Sequence, residues 1–207
     1  MRGCLFILPV QISRQQALHT NLHLLELENH AEVFNTAISE FFESKAEWTF
    51  SHKINGRWEN TYVPIQKVPA AKQILNLATR AARRVFGKSL VCVQGVEHLI
   101  KDSFWFNVME KGQSTGWHNH KAKAQASGVC YLQIPNNSGE FQYRDNEGIV
   151  YQHIPQSGTI LLFPSNLNHS VKNSNSDDVR LSLAFNLYTL PLALDPEDDP
   201  FGGNLFF

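Results

Sequence analysis

The spacing of apolar and polar residues changes character near the middle of the chain. Up to Gly87 the apolar positions recur mostly at helical intervals. From Ser89 they gather into short β-prone runs (LVCVQGV, SFWFNVM, ASGVCYLQI, GEFQYR, GIVYQHI, GTILLF and RLSLAFNLY) parted by Gly, Asn, Pro and Ser. Within the first part, CLFILPV reads as an opening strand. Residues 14–26 carry Ala17, Leu18, Leu22 and Leu25 at roughly helical spacing and predict a first helix. Asn29 with Glu32 three residues on has the form of a capping box, opening a helix with the apolar face Phe34, Ala37, Ile38 and Phe41 that ends near Lys45.

Trp48 to Tyr62 predicts a hairpin or flap folded at Asn55-Gly56; its Trp58 and Tyr62 either line a substrate entrance or pack on the core. A further amphipathic helix starts at Pro69, shows Ala71, Ile74, Leu75, Ala78, Ala82 and Val85 on one face, and stops at Gly87. Its Arg80, Arg83 and Arg84 read as a solvated helix face.

Many short strands after a helical part predict an α+β, mainly β chain: a sandwich or barrel with the N-terminal helices packed against one sheet. No internal repeat or long linker divides it. The expectation is a single domain over 1–207, with a helical support region and flap in 1–88, a β core in 89–190 and an irregular tail in 191–207.

Charge changes this picture only by exclusion. Lys+Arg is 18 against Asp+Glu 19, so no overall field argues for a nucleic-acid or membrane-surface partner, and a small-molecule substrate is expected. Cys4, Cys92 and Cys130 are odd in number and lack a C-x-x-C spacing, which suits reduced thiols in a cytoplasmic protein. No run approaches the ~18 apolar residues of a membrane span. The C-terminal Phe206 and Phe207 are candidates for packing onto a neighbour, as in a homodimer.

The candidate chemistry centres on WHNHKAKAQASGVCYL. His118 and His120, one residue apart, share a face if the chain is extended, and two imidazoles on one face can grip one metal ion. A third ligand must come from elsewhere, and His169 is placed for it, just after GTILLF and a Pro-containing turn. Arg180 follows eleven residues later with Ser182 at strand period; an arginine inside a barrel needs an anion, and a carboxylate fits it in bidentate fashion. The other histidines have weaker company: His19 and His23 are four apart but lack a third ligand, and His52, His98 and His153 read as ordinary residues.

From Phe104 to Tyr188 the chain resembles the 2-oxoglutarate and Fe(II)-dependent oxygenases, a superfamily built on the double-stranded β-helix or jelly roll. The resemblance is carried by Trp105 and Asn107; His118 and His120; Ser127, Gly128 and Tyr131; Gly158, Phe163 and Pro164; His169; and Arg180, Ser182 and Asn186, in that order. It implies Fe(II) held by His118, His120 and His169, and 2-oxoglutarate whose far carboxylate is held by Arg180 with Ser182 and Tyr131 as helpers. Asn107 is a further candidate for a contact with cosubstrate or substrate. The implied activity is hydroxylation of a small or amino-acid-like molecule with O2, releasing succinate and CO2.

His120 stands where most of the superfamily has an aspartate. Two alternatives stay open at this point: His120 turns away, or a carboxylate such as Glu140 or Asp145 reaches in. The rival class is a cupin-type dioxygenase or isomerase using the three histidines without 2-oxoglutarate. Gln125 and Asn166 replace the Glu and Gly of the cupin motifs, and Arg180 has no use there.

Overall fold

A computed structural model describes residues 9–19, 21–51, 53–54, 57–94, 103–120 and 124–190. The strand expected in CLFILPV falls almost entirely outside these residues, as do Cys4, His52, His98 and the acidic tail.

Residues 14–26 are a β-hairpin and not the expected helix. Strand β1 (Gln11–His19) pairs antiparallel with β2 (Leu22–Glu28), and the chain reverses at Asn21, whose φ is 66°. The misreading has a physical cause. Strand β2 is covered on both faces: Leu22 and Leu24 join the core between the sheets, while Leu25 and Leu27 face the helices. A strand buried on both sides shows no alternation, so the Leu18, Leu22, Leu25 spacing mimics a helix.

Helix α1 (Ala31–Glu43) buries Phe34, Ala37 and Phe41 as its spacing predicts. The capping box does not form. His30 holds the N-cap position without a side-chain cap, and Asn29 (φ 55°) serves instead to turn the chain out of β2. Next come the short strands β3 (Thr49–Phe50), β4 (Lys53–Ile54), β5 (Arg57–Trp58) and β6 (Thr61–Tyr62). Strands β4 and β5 pair antiparallel with Lys53↔Trp58 and Ile54↔Arg57 in register, while the Asn55-Gly56 turn expected between them lies outside the described residues. Trp58 is exposed and stacks on Phe50, with ring centroids 4.9 Å apart, whereas Tyr62 is half-buried. Helix α2 (Pro69–Phe86) begins on its proline and ends at Gly87, whose φ of 61° is the left-handed conformation that glycine adopts freely.

The remaining strands are β7 (Leu90–Val91), β8 (Phe104–Met109), β9 (Thr115–His118), β10 (Ala126–Gln133), β11 (Phe141–Arg144), β12 (Val150–His153), β13 (Thr159–Pro164), β14 (Asn168–Val171) and β15 (Arg180–Thr189). The last eight form two antiparallel sheets, ordered β13-β10-β15-β8 and β12-β11-β14-β9. That interleaved order is the double-stranded β-helix. Strands β2 and β1 extend the larger sheet at one edge and β6 and β3 at the other, while β7 pairs with the end of β15.

Period-two alternation in the larger sheet sorts the chain into a core face and a functional face. Phe106, Cys130, Leu132, Leu181, Leu183 and Leu187 point to the helices, where Phe41, Ile74 and Leu75 complete a fully buried core. Phe41 stacks between Phe106 (4.2 Å) and Trp48 (4.5 Å). The intervening residues, among them Asn107, Tyr131, Arg180 and Ser182, line a cavity between the sheets. Among the described residues no helix is long and apolar enough to cross a membrane.

Candidate metal centre and its pocket

Strands β9 and β14 lie side by side in the smaller sheet, and their register sets His118 opposite His169. The two rings are 4.3 Å apart between centroids. His118 is the last residue of β9, so His120 lies beyond the strand and does not share it as the one-residue spacing suggested. Its backbone N–H donates to the Ser165 carbonyl at 2.7 Å, which fixes it beside the chain leaving β13. The His120 ring then sits 5.1 Å from His118 and 5.4 Å from His169, and the three ligating nitrogens all lie within 4.8 Å of one another. His120 therefore does not turn away.

Two of the rings are oriented by the same device. His118 Nδ1 is 2.8 Å from the Gly116 carbonyl and His169 Nδ1 is 2.9 Å from the Leu167 carbonyl. A carbonyl only accepts, so each Nδ1 carries the proton and each Nε2 keeps its lone pair for a metal. His169 is buried against Phe141 (5.4 Å, stacked) and Phe163 (4.9 Å). Burial, then the neighbouring His118, holds its pKa well below the ordinary value, which keeps the ring neutral.

Neither alternative carboxylate joins the cluster. Glu140 pairs with Lys172 at 3.7 Å. Asp145 accepts the N–H groups of Glu147 and Ile149 on one oxygen and the Tyr151 hydroxyl on the other. The residues fit a divalent transition metal: three neutral imidazoles suit iron, zinc, copper or nickel and leave open coordination positions. His19 and His23 form no second centre. His19 packs on Tyr151 (4.4 Å) and His23 meets the edge of Phe86.

Arg180 lies in the same cavity, 3% exposed. One of its terminal nitrogens donates to the carbonyls of Ser138 (3.0 Å) and Gly139 (2.5 Å), which leaves the rest of the guanidinium to the cavity. Among the described residues no carboxylate pairs with it, and burial lowers its pKa. Beside it, Tyr131 is fully buried and its hydroxyl has no aligned hydrogen-bond partner. Burial raises the Tyr131 pKa and keeps it a donor. Ser182 stands between them as register partner of both Tyr131 and Asn107.

Asn107 reaches the cavity, but its amide is already engaged. Nδ2 donates to the Glu59 carbonyl (2.6 Å) and to Asn60 Oδ1 (3.3 Å), and Oδ1 accepts from Trp105 Nε1 (3.2 Å). It ties the flap to β8. Ser127 and Asn186 are likewise a structural pair, hydrogen-bonded at 2.7 Å across the β10–β15 register.

Sequence reasoning overlooked Arg57, a lone basic residue in a polar, aromatic hairpin. Only its place beside the Asn-Gly turn marked it, and nothing in the sequence indicates that it is buried at 7% exposure against the cavity.

Residues 103–154 and 147–186 match the profile of a family described as putative 2OG-Fe(II) oxygenase. These spans hold the three histidines, Arg180, Ser182, Tyr131 and Asn107. No curated protein sequence matches the chain. Similar solved structures include the non-heme alpha ketoglutarate dependent carbocyclase SnoK from nogalamycin biosynthesis, at 16% identity, with 78% of this chain and 76% of that one covered and a TM-score of 0.61. A prolyl-4-hydroxylase of Pseudomonas putida is 18% identical over 82% of this chain and 92% of its own, with a TM-score of 0.59. A Trichoplax adhaerens prolyl hydroxylase, in complex with a hypoxia inducible factor peptide, is 14% identical over 81% and 83%, with a TM-score of 0.62. At these identities the likeness is one of fold.

Proposed function

We propose that the protein is an Fe(II)- and 2-oxoglutarate-dependent dioxygenase that hydroxylates a small or amino-acid-like substrate. One substrate C–H bond becomes C–OH, O2 supplies both oxygen atoms used, and 2-oxoglutarate leaves as succinate and CO2. The observation that supports this best is the pairing of a three-histidine cluster with a buried arginine that no carboxylate among the described residues pairs, both in one cavity. A cupin-type site accounts for the histidines and leaves Arg180 without an anion.

In this reading His118, His120 and His169 hold the metal, and Arg180 receives the far carboxylate of the cosubstrate, with Ser182 and the Tyr131 hydroxyl donating to the same group. The iron with its cosubstrate supplies the oxidising power when bound. The chain's own contribution is position and dryness. Phe141 and Phe163 wall the His169 side, and Trp105 lies 5.6 Å from His120. The cavity is open on one side, which gives a small substrate a route to the histidines.

The test is an anaerobic titration with Fe(II) and 2-oxoglutarate, read by the weak visible metal-to-ligand charge-transfer band of the chelate. The band is expected in the wild-type protein. Bound metal with no band at saturating 2-oxoglutarate would overturn the reading.

A further inference from the structure

Arg57 is the second buried arginine of the cavity. It is carried on β5, the inner strand of the flap hairpin, and is 7% exposed. Its Nη1 donates to the Ser114 carbonyl (2.8 Å) and to Thr115 Oγ1 (3.3 Å), and its Nη2 to the Glu59 carbonyl (3.4 Å). Its Nε is buried with no acceptor. All of its partners are neutral oxygens; among the described residues no carboxylate lies within ion-pair distance. Glu59 favours its charge from farther off, while Arg180 opposes it. A guanidinium does not lose its proton in a protein, and among the described residues no carboxylate contacts this one, so a ligand anion entering the cavity would be favoured beside it.

The register shows where that anion belongs. Thr115, which Arg57 holds, pairs with Val171 at the end of β14 remote from His169. The next residue, Lys172, has its carbonyl pressed against Gly139, whose own carbonyl accepts from Arg180. Arg57 is thus anchored on the β9 flank of Val171 and Arg180 on the turn leading into β11, its other flank, and all three residues line the same cavity. The histidines occupy the other end of the β9–β14 pair.

We propose that Arg57 is the second arm of a carboxylate clamp: it and Arg180 together grip the far carboxylate of 2-oxoglutarate, which the flap thereby helps to enclose. The identity of the anion rests on the function proposed above. The clamp would also tie the cosubstrate to the hairpin, because Arg57 and Asn107 both hold the Glu59 carbonyl and Asn107 holds Asn60.

The experiment compares two acids in the charge-transfer titration of the full chain: 2-oxoglutarate and 2-oxopentanoate, which has the same length and chelating end but no far carboxylate. Arg57→Gln is expected to weaken 2-oxoglutarate by about tenfold or more while leaving 2-oxopentanoate unchanged. Arg57→Lys, which keeps a cation but loses the fork, should fall between them. Cobalt(II) binding to the histidines, read by its visible absorption, verifies that each variant is folded. If Arg57→Gln does not fold, Arg57→Lys carries the test through the same selective loss. The clamp is overturned if a folded variant binds 2-oxoglutarate as the wild type does, or loses both acids equally, as a purely structural arginine would. Should the wild type itself show no preference for 2-oxoglutarate over 2-oxopentanoate, the proposed function fails and not the clamp alone.

Discussion

His118 and His169 are register partners across the β9–β14 pair, and their rings stand 4.3 Å apart, each turned by a hydrogen bond to the carbonyl two residues before it. Their free ring nitrogens are thus aimed by backbone, which would lower the ordering cost of binding a metal ion.

Removing either ring should therefore cripple metal binding. His118→Ala and His169→Ala are each expected to weaken cobalt(II) or Fe(II) binding by about a hundredfold or more, measured by calorimetry or optical titration. His120→Asp should retain the metal, since a carboxylate is as good a ligand at the same place, whereas His120→Ala should not. Wild-type affinity in His169→Ala would remove His169 from the site.

Arg180 separates cosubstrate binding from metal binding. Arg180→Met is expected to keep cobalt(II) affinity and to weaken 2-oxoglutarate by about 10- to 150-fold, the usual range for charge-assisted hydrogen bonds. The same titration checks it, and equal loss of both ligands would mean that the variant had disturbed the sheet.

Gly128 tests the packing behind the site. A Cβ there would fall 2.4 Å from the Phe185 ring and 2.9 Å from the Leu161 carbonyl oxygen, and neither the core ring nor the backbone can give way easily. Gly128→Ala should destabilise the fold by about 1–3 kcal/mol, seen as a lower urea midpoint with an unchanged slope.

His153 provides a pH test away from the metal centre. Its Nε2 is buried without an acceptor, and burial holds its pKa below 6.5. A histidine whose pKa is lower when folded binds protons more readily once unfolded, so its share of stability is complete above 6.5 and is lost as the pH falls below that. His153→Phe should accordingly show a shallower drop in thermal midpoint between about pH 7 and pH 5 than the wild type. Parallel curves would exclude His153 as a contributor.

That these residues gather in one candidate site was legible in the sequence because they are side chains of fixed spacing: the histidine pair, His169 after the GTILLF run, and Arg180 with Ser182. The strands bearing the histidines were not. Strands β9 and β14 are four residues each, with Gly116 and Trp117 exposed in the first and His169 and Ser170 buried in the second, so no apolar alternation marks them. The β1–β2 hairpin was hidden by the opposite excess, a strand with leucines on both faces. Arg57 was illegible for a third reason. Its burial is created by Ser114 and Thr115, far along the chain, and no local pattern encodes a contact across such a distance.

Strand β9 is short and lies at the edge of its sheet, paired among the described residues with β14 alone, and the register of that pair breaks between His169 and Val171. An ion gripped by His118 and His169 would join that edge to β14 much as a cross-link joins two ends of a loop. Its binding energy then becomes folding energy for the open side of the smaller sheet. Loss of metal and fraying of that sheet are on this account one event, which hydrogen exchange at the β9 amides would register before any change reached the helices.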